Sequence, residues 1–409
     1  MISKDPISAL AAWAAHAGLT GASEPELING FCERAVAAGL PIGRAHMFID
    51  TLHPVHEGRL FRWGHDLSEL TIQDYGRTGT ADIPPDNSEM AERWRRSPFF
   101  RMLQSGESLM RRRLTEEVDA ESTFLAELRA VGMTEYVAII NRFAPEAVIG
   151  EMDCVYSSWA TAHPDGFSDA QIAALDRVLP PLALAVKAAS LARMTTALME
   201  TYLGRDAAHR VLSGRIMRGM TDTIDAVIWF SDLRGFTRIT DTAPAQVIPL
   251  LNDYADVIVS AIHDHGGDVL KLIGDGTLAI FTAADRAHAC EAALAAAVAA
   301  RTGVSDLNAR RSADALPVTD MYLGLHVGEV FYGNIGSTER LDFTVIGPAV
   351  NETSRIAAMC RSVEQPLLVS AAFAGVDGMR DQLVSVGRYA LRGVADPQEL
   401  FTLDPARLK

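Results

Sequence analysis

The sequence predicts an α/β protein: two α+β units, each a sandwich of helices packed against a sheet, joined by a helical linker. Three observations carry this reading. Apolar runs of strand length alternate with helix-spaced segments over residues 6–175 and again over 222–405. The stretch between them has apolar positions at spacings of three and four and no strand pattern. A chain of 409 residues with 48% hydrophobic and 22% charged content can fill two or three ordinary cores, at roughly 100–200 residues per domain. The expected boundaries are 1–180, 181–221 and 222–409.

In the first unit, Ile7–Gly18 is apolar enough to suggest a signal-peptide core. It follows Lys4 and Asp5 rather than a basic leader and contains His16, so a first helix is expected. Glu24–Gly39 reads as an amphipathic helix through Leu27, Ile28, Phe31, Ala35 and Val36, stopped by glycine. Arg44–Leu52 and Gly58–Trp63 read as strands joined by a turn at Pro54–Glu57. Ser122–Val131 is helical in pattern, while Tyr136–Asn141 and Asp153–Ala160 are β-rich. The turn His163–Ser168 leads to a helix beginning at Asp169 and capped by Ser168.

The linker carries the stripe Leu175, Val178, Leu182, Ala185, Ala189, Ala192, Thr196, Met199 and Leu203. That is the seam of a parallel coiled coil, weakened by its alanines and by Pro180 and Pro181. One face of a helix docked on its own domain gives the same stripe.

In the second unit, Ala226–Ser231 is continuously apolar, as a strand buried on both faces requires. Pro244–His263 has helical spacing, and Asp268–Phe281 reads as a hairpin turning at Gly274-Asp275-Gly276. Ala287–Ala300 is an alanine-rich helix, and Asn308–Thr319 reads as a polar loop. Strands at Met321–Val327 and Leu341–Ile346 precede a helix near Ala349–Cys360.

The net charge of −15 argues against nonspecific nucleic-acid binding, which depends on Lys and Arg meeting phosphates. Four scattered cysteines (Cys32, Cys154, Cys290, Cys360) form no CxxC pair and read as buried reduced thiols. No apolar run approaches the roughly 18 residues that span a bilayer. A cytoplasmic location is the resulting expectation.

The chemistry concentrates at two aspartates. Asp232 lies in Phe230-Ser-Asp-Leu-Arg-Gly-Phe-Thr237 and Asp275 in Lys271-Leu-Ile-Gly-Asp-Gly276, each where an apolar strand runs into glycine. Singly, each is a turn-capping aspartate. Together, at strand ends beside turns that expose N–H groups, they suit a magnesium–triphosphate site. The backbone from Ser231 to Thr237, through Leu233 and Phe236, can offer successive N–H groups to phosphate as a helix begins.

These two segments, with Thr344-Val-Ile-Gly-Pro-Ala-Val-Asn-Glu-Thr-Ser-Arg355, resemble successive motifs of the class III nucleotidyl cyclases, in order, across nearly all of residues 225–403. The resemblance implies a ferredoxin-like catalytic domain that turns ATP into 3′,5′-cyclic AMP and pyrophosphate with two Mg²⁺ (or Mn²⁺) ions per site. It implies that Asp232 and Asp275 hold the metals, with the Leu233 backbone as an added ligand. Lys271 and Thr344 match the purine-reading positions; lysine can only donate, which suits the adenine N1 acceptor. Asn351 matches the ribose-positioning asparagine, and Arg355 the arginine that meets charge on the reacting phosphate. Arg392 loosely matches a terminal-phosphate lysine. In the family the metal ligands come from one protomer and the other groups from its partner, so a homodimer is implied.

Pro348 departs from the family's usual Asp or Asn but is tolerated at a first helical position, and Glu352-Thr353 replaces a smaller apolar pair. Gly266-Gly267-Asp268 lacks the Glu-Phe of a diguanylate cyclase signature. Guanylate cyclase and a non-catalytic nucleotide sensor are the competing functions. The segment Ser157–Leu179 resembles the end of a GAF domain, without that family's Asn-Lys-Phe-Asp-Glu cyclic-nucleotide signature. The first unit is then a small-molecule sensor or a ligand-free dimerisation module.

Overall fold

The computed structural model describes residues 5–64, 67, 70–76, 92, 94–117, 122–392 and 396–404. Contacts divide the chain into two units, residues 1–198 and 199–409.

The first unit opens with helices α1 (Pro6–Leu19) and α2 (Glu24–Ala37). Asp5 caps α1 by accepting from the Ile7 N–H at 3.1 Å. Ser23 and Glu26 close a capping box on α2, satisfying N–H groups that lack helical partners. Six strands follow: β1 (Arg44–Asp50), β2 (His56–Gly64), β3 (Thr71–Gly76), β4 (Leu109–Arg113), β5 (Glu135–Arg142) and β6 (Cys154–Thr161). Among the described residues they form one antiparallel sheet in the order β3-β2-β1-β6-β5-β4. Leu27, Phe31, Trp159, Leu175 and Leu182 fill the core on one face. On the other, α3 (Pro98–Ser105) and α4 (Thr123–Ala130) pack Phe99, Met102, Leu125 and Leu128 against Tyr136 and Tyr156.

The long helix α5 (Asp169–Leu203) runs through Pro180 and Pro181 without a break. Leu175, Val178, Leu182 and Ala185, expected as the start of a dimer seam, are buried in the first unit's own core. That half of the stripe is the docked face of a single helix, and the docking offsets the hydrogen bonds the prolines cannot donate. Further along α5, Ser190 and Arg193 reach the buried carboxylate of Glu24. Arg59 on β2 reaches the same carboxylate at 3.1 Å and continues to Asp74 at 2.6 Å.

The second unit begins with α6 (Arg205–Leu212), separated from α5 by Gly204. Its strands are β7 (Thr221–Leu233), β8 (Asp268–Ile273), β9 (Gly276–Phe281), β10 (Met321–Gly336), β11 (Leu341–Ile346), β12 (Leu367–Ser370), β13 (Leu383–Tyr389) and β14 (Gln398–Leu403). The sheet runs β13-β14-β12-β10-β7-β9-β8, with β11 pairing the far half of β10. β7 is central, between β10 and β9, as its unbroken apolar run requires. Val227 and Trp229 meet α8 (Val247–Asp264) and α9 (Arg286–Ala313) on one face. Ala226 and Ile228 face Ala207 of α6 and Tyr332 on the other.

The expected loop at Asn308–Thr319 holds only for Asp314–Thr319; its first half is a correction, since α9 continues to Ala313. Val304, Leu307 and Arg311 extend its buried face. The Arg311 guanidinium, 3% exposed, pairs with Asp253 and donates to the Pro317 carbonyl at 2.8 Å. Polar residues that looked like a loop therefore form an inward, hydrogen-bonded helical turn. All four cysteines are buried and free.

Candidate active site

The hairpin β8–β9 brings the aspartates together. Gly274 adopts φ +62°, and a Cβ on Gly276 would lie 3.0 Å from the Ser231 carbonyl oxygen. Only glycine lets the turn press this closely on the end of β7. β9 pairs with β7 as far as Thr277 opposite Ser231, so Asp232 projects beside the turn that holds Asp275. The Leu233 N–H donates to Asp275 Oδ2 at 3.2 Å, tying the turn to the strand end.

The electrostatics of the pair are unfavourable as they stand. Burial first, and the neighbouring Asp275 carboxylate second, push the Asp232 pKa up to about 6. Asp232 Oδ1 is buried and has no hydrogen-bond partner. Two carboxylates crowded together, one with an orphan oxygen, are what a divalent cation relieves. The residues present therefore fit a magnesium or manganese ion. No group of three or more His, Cys, Asp or Glu side chains placed to hold a metal ion occurs among the described residues. Two carboxylates alone suit a cation that completes its shell with water and substrate phosphates.

Lys271 and Thr344, the residues expected to read a purine, lie on β8 and β11. Lys271 on β8 is half-exposed, and its Nζ is ion-paired with Asp342 on β11. Thr344 lies two residues beyond Asp342 on the same strand, hence on the same face. The sequence reading missed Asp342. Its signal was a carboxylate two positions before Thr344, but the partner that gives it meaning is 71 residues away.

Asn351 and Arg355 lie one turn apart on α10 (Pro348–Val363), so they share a face. Pro348 occupies the first turn of that helix, as its missing N–H allows. The helix sits hard on β10: a Cβ on Gly324 would come within 2.7 Å of the Thr353 oxygen and the Ala357 nitrogen. Arg355 forms no ion pair with any described residue, so its charge is free for a ligand. Arg392 is exposed in a turn beside residues 393–395, which lie outside the described set. Phe236 opens α7 (Phe236–Thr242) and packs against the core, while Thr237 is exposed. Among the described residues no hydrogen bond or ion pair joins the aspartate pair to Lys271, Thr344, Asn351 or Arg355.

Residues 220–404 match the family described as the adenylate and guanylate cyclase catalytic domain. An uncharacterized protein of Mycobacterium tuberculosis is 36% identical over 172 residues, 42% of this chain and 29% of the relative. A second, from Mycobacterium bovis, is 34% identical over 204 residues, 49% of this chain and 36% of the relative. The chain thus spans about a third of the length of these curated relatives. Among solved structures, the adenylyl cyclase CyaB from P. aeruginosa is 25% identical with a TM-score of 0.42, over 45% of this chain and 95% of that one. The guanylyl cyclase Cya2 is 29% identical with a TM-score of 0.40, over 45% and 93%. Behind an N-terminal α+β region and a long helix, residues 220–404 are a class III adenylate and guanylate cyclase catalytic domain.

Proposed function

We propose that the protein is an adenylate cyclase that converts ATP to 3′,5′-cyclic AMP and pyrophosphate at sites shared between two copies of the chain. The crowded Asp232–Asp275 pair with its orphan oxygen carries this reading. A divalent cation held there, two per site on the family's pattern with the Leu233 backbone assisting, supplies Lewis-acid polarisation of phosphate and acidifies the ribose 3′-hydroxyl.

The chain's own residues do the rest. Lys271 leaves Asp342 to donate to the adenine N1, and Thr344 accepts from the exocyclic amino group. Asn351 holds the ribose so that its 3′-oxygen faces the α-phosphorus, making the attack intramolecular. The new bond joins that oxygen to phosphorus as the bond to the bridging oxygen breaks. Pyrophosphate departs with the electron pair, and the hydroxyl proton passes to solvent. Arg355 meets the charge that builds on the phosphate in the transition state. Backbone N–H groups at Phe236 and Thr237, and the Arg392 side chain, would hold the outer phosphates.

Two observations support a second copy. Among the described residues no hydrogen bond or ion pair links the aspartates to Lys271, Thr344, Asn351 or Arg355 within one unit. Leu272, Ile273, Phe331 and Ile346 also leave apolar surface exposed near them. The first unit is read as a GAF-like regulator, because β6 leads through buried Phe167 to a helix capped by Ser168.

One observation favours GTP as the competing substrate. Asp342 sets an acceptor beside the Lys271 donor, and guanine offers O6 to the lysine and N1–H to the carboxylate. The test is incubation of the purified full chain with Mg²⁺ or Mn²⁺ and either nucleotide, with products resolved by chromatography. Cyclic AMP from ATP is the expected product. Cyclic GMP alone, or no cyclic nucleotide, contradicts the proposal.

A further inference from the structure

The second unit has a cleft of about 570 Å³ at the opposite end of its sheet from the aspartate pair. It touches Asp225 at the start of β7. Seven residues separate Asp225 from Asp232, roughly 23 Å at 3.3 Å per strand residue. Its walls bring together Arg205, Asp206 and Arg210 of α6, His263 at the end of α8, Asp268 of β8 and Tyr332 of β10.

The acidic groups at the cleft are already engaged. Asp268 accepts from the Arg205 N–H at 3.1 Å and the Asp206 N–H at 3.3 Å. It caps α6 in place of Gly204, which has no side chain to do so. Asp206 pairs with Arg210 at 2.5 Å, and Asp225 holds Arg286 at 2.7 and 2.8 Å.

Of the donors, Arg210 is held by Asp206 and Asp222, and three others remain, the Arg205 charge also facing Asp268. Arg205 is exposed and forms no ion pair with a described residue. Tyr332 is 1% exposed. Its hydroxyl closes no hydrogen bond of good geometry: the Asp206 carboxylate stands beside it as an acceptor, and after burial itself is what raises the Tyr332 pKa, but Asp206 is already held by Arg210. His263 Nε2 is likewise buried without a partner. Burial and the Arg205 charge lower its pKa, so the ring is neutral and can carry its proton on that nitrogen. Buried donors without acceptors are rare in native proteins. A ligand presenting two or three oxygens would satisfy all of them, and the volume suits a small metabolite.

We propose that this cleft binds a small oxyanion, a phosphate or carboxylate group, through Arg205, His263 and Tyr332. Such an anion ties the first residue of α6 to α8 and β10. The helix it secures is already capped from β8, the strand that carries Lys271 three residues beyond Asp268. Occupancy therefore bears on the purine-reading strand, a consequence that rests on the cyclase reading, whereas binding itself does not.

The test is titration of the full chain with inorganic phosphate, and separately with acetate, against sodium chloride at matched ionic strength. Thermal unfolding and calorimetry provide the readout. The two titrants separate a phosphate from a carboxylate preference. The expected result is a saturable rise in Tm with at least one of them, weakened at least tenfold in Arg205→Ala and in Tyr332→Phe. The second variant keeps the ring and its packing. Arg355→Ala should leave the response unchanged, because its guanidinium belongs to the nucleotide site. No saturable response to either anion overturns the proposal. So does a response lost in Arg355→Ala but kept in both cleft variants. Because binding needs no turnover, a protein that binds the anion yet makes no cyclic nucleotide would refute the cyclase reading alone.

Discussion

Two carboxylates, one in each unit, have opposite surroundings. Glu24 is 3% exposed and wholly satisfied: Ser190, Arg193 and Arg59 all reach it. Asp232 is half-buried beside another carboxylate, with one oxygen lacking any partner and its pKa raised to about 6. A protein held together only for stability would furnish Asp232 as it furnishes Glu24. The contrast separates a carboxylate that fastens a helix from one that, on the proposed function, a cation would complete. Strain of this kind is retained where a ligand removes it.

The comparison can be broken in four ways, taken from the largest expected effect to the smallest. Asp275→Ala should cut the rate of cyclic nucleotide formation about 10³-fold, of the order seen when charge stabilisation at a reacting phosphate is lost. Initial rates in saturating Mn²⁺ check this, and a residual rate within tenfold of wild type would show that the pair does not hold the metal.

Glu24→Ala should destabilise the first unit by about 3 kcal/mol, because it leaves the partly buried Arg193 without its ion pair and takes from Arg59 one of its two carboxylates. Urea unfolding followed by tryptophan fluorescence measures it. A cost under about 0.5 kcal/mol, the size of an ordinary surface change, would mean the cluster is solvated rather than fastening.

Asp342→Asn keeps the shape of the side chain but removes the charge that holds Lys271. The ratio of kcat/KM for ATP over GTP should rise about tenfold, about 1.4 kcal/mol of discrimination. The reason is that guanine loses its charged acceptor while adenine loses little. An unchanged ratio would show that Lys271 and Thr344 read the base without Asp342.

Asp232→Asn should stabilise the metal-free catalytic unit by about 1 kcal/mol at pH 7, after allowance for solvent screening. It should abolish turnover at the same time. The sign follows from linkage. With a folded pKa near 6 against an unfolded value of 3.8, the native state binds more protons between those limits. The wild-type contribution to stability is therefore present below about pH 4 and is lost as pH rises toward 6. Thermal melts in chelator from pH 4.5 to 7.5 should show this slope in wild type and not in the variant. The same slope in both would place the strain elsewhere.

How much the sequence disclosed depended on whether the defining partners were neighbours in the chain. Asp275 was legible because the glycines that fold its turn flank it directly. Asp232 was legible because it ends an unbroken apolar strand. Asn351 and Arg355 declared a shared face through their spacing alone. Asp342 was not legible, since an aspartate on a half-exposed strand is ordinary until Lys271 is seen against it. Asn308 and Arg311 were misread because a polar run looks like a loop unless its inward partners, Tyr254 and Asp253, are known. The stripe from Leu175 was seen but its occupant was not. Apolar spacing shows that a face is covered and is silent on whether the cover is its own domain or another copy. Arg205, His263 and Tyr332 are too far apart in the chain for any pattern to join them.

Mixing two inactive proteins, Asp275→Ala and Arg355→Ala, tests most directly whether a nucleotide site is built from two copies. Each variant alone spoils both sites of its homodimer. Random exchange makes half the dimers mixed, each with one intact site, so the mixture should regain about a quarter of the wild-type rate. If light scattering shows that subunits have exchanged and the mixture is still inactive, the carboxylates and the arginine do not serve a common substrate across two chains.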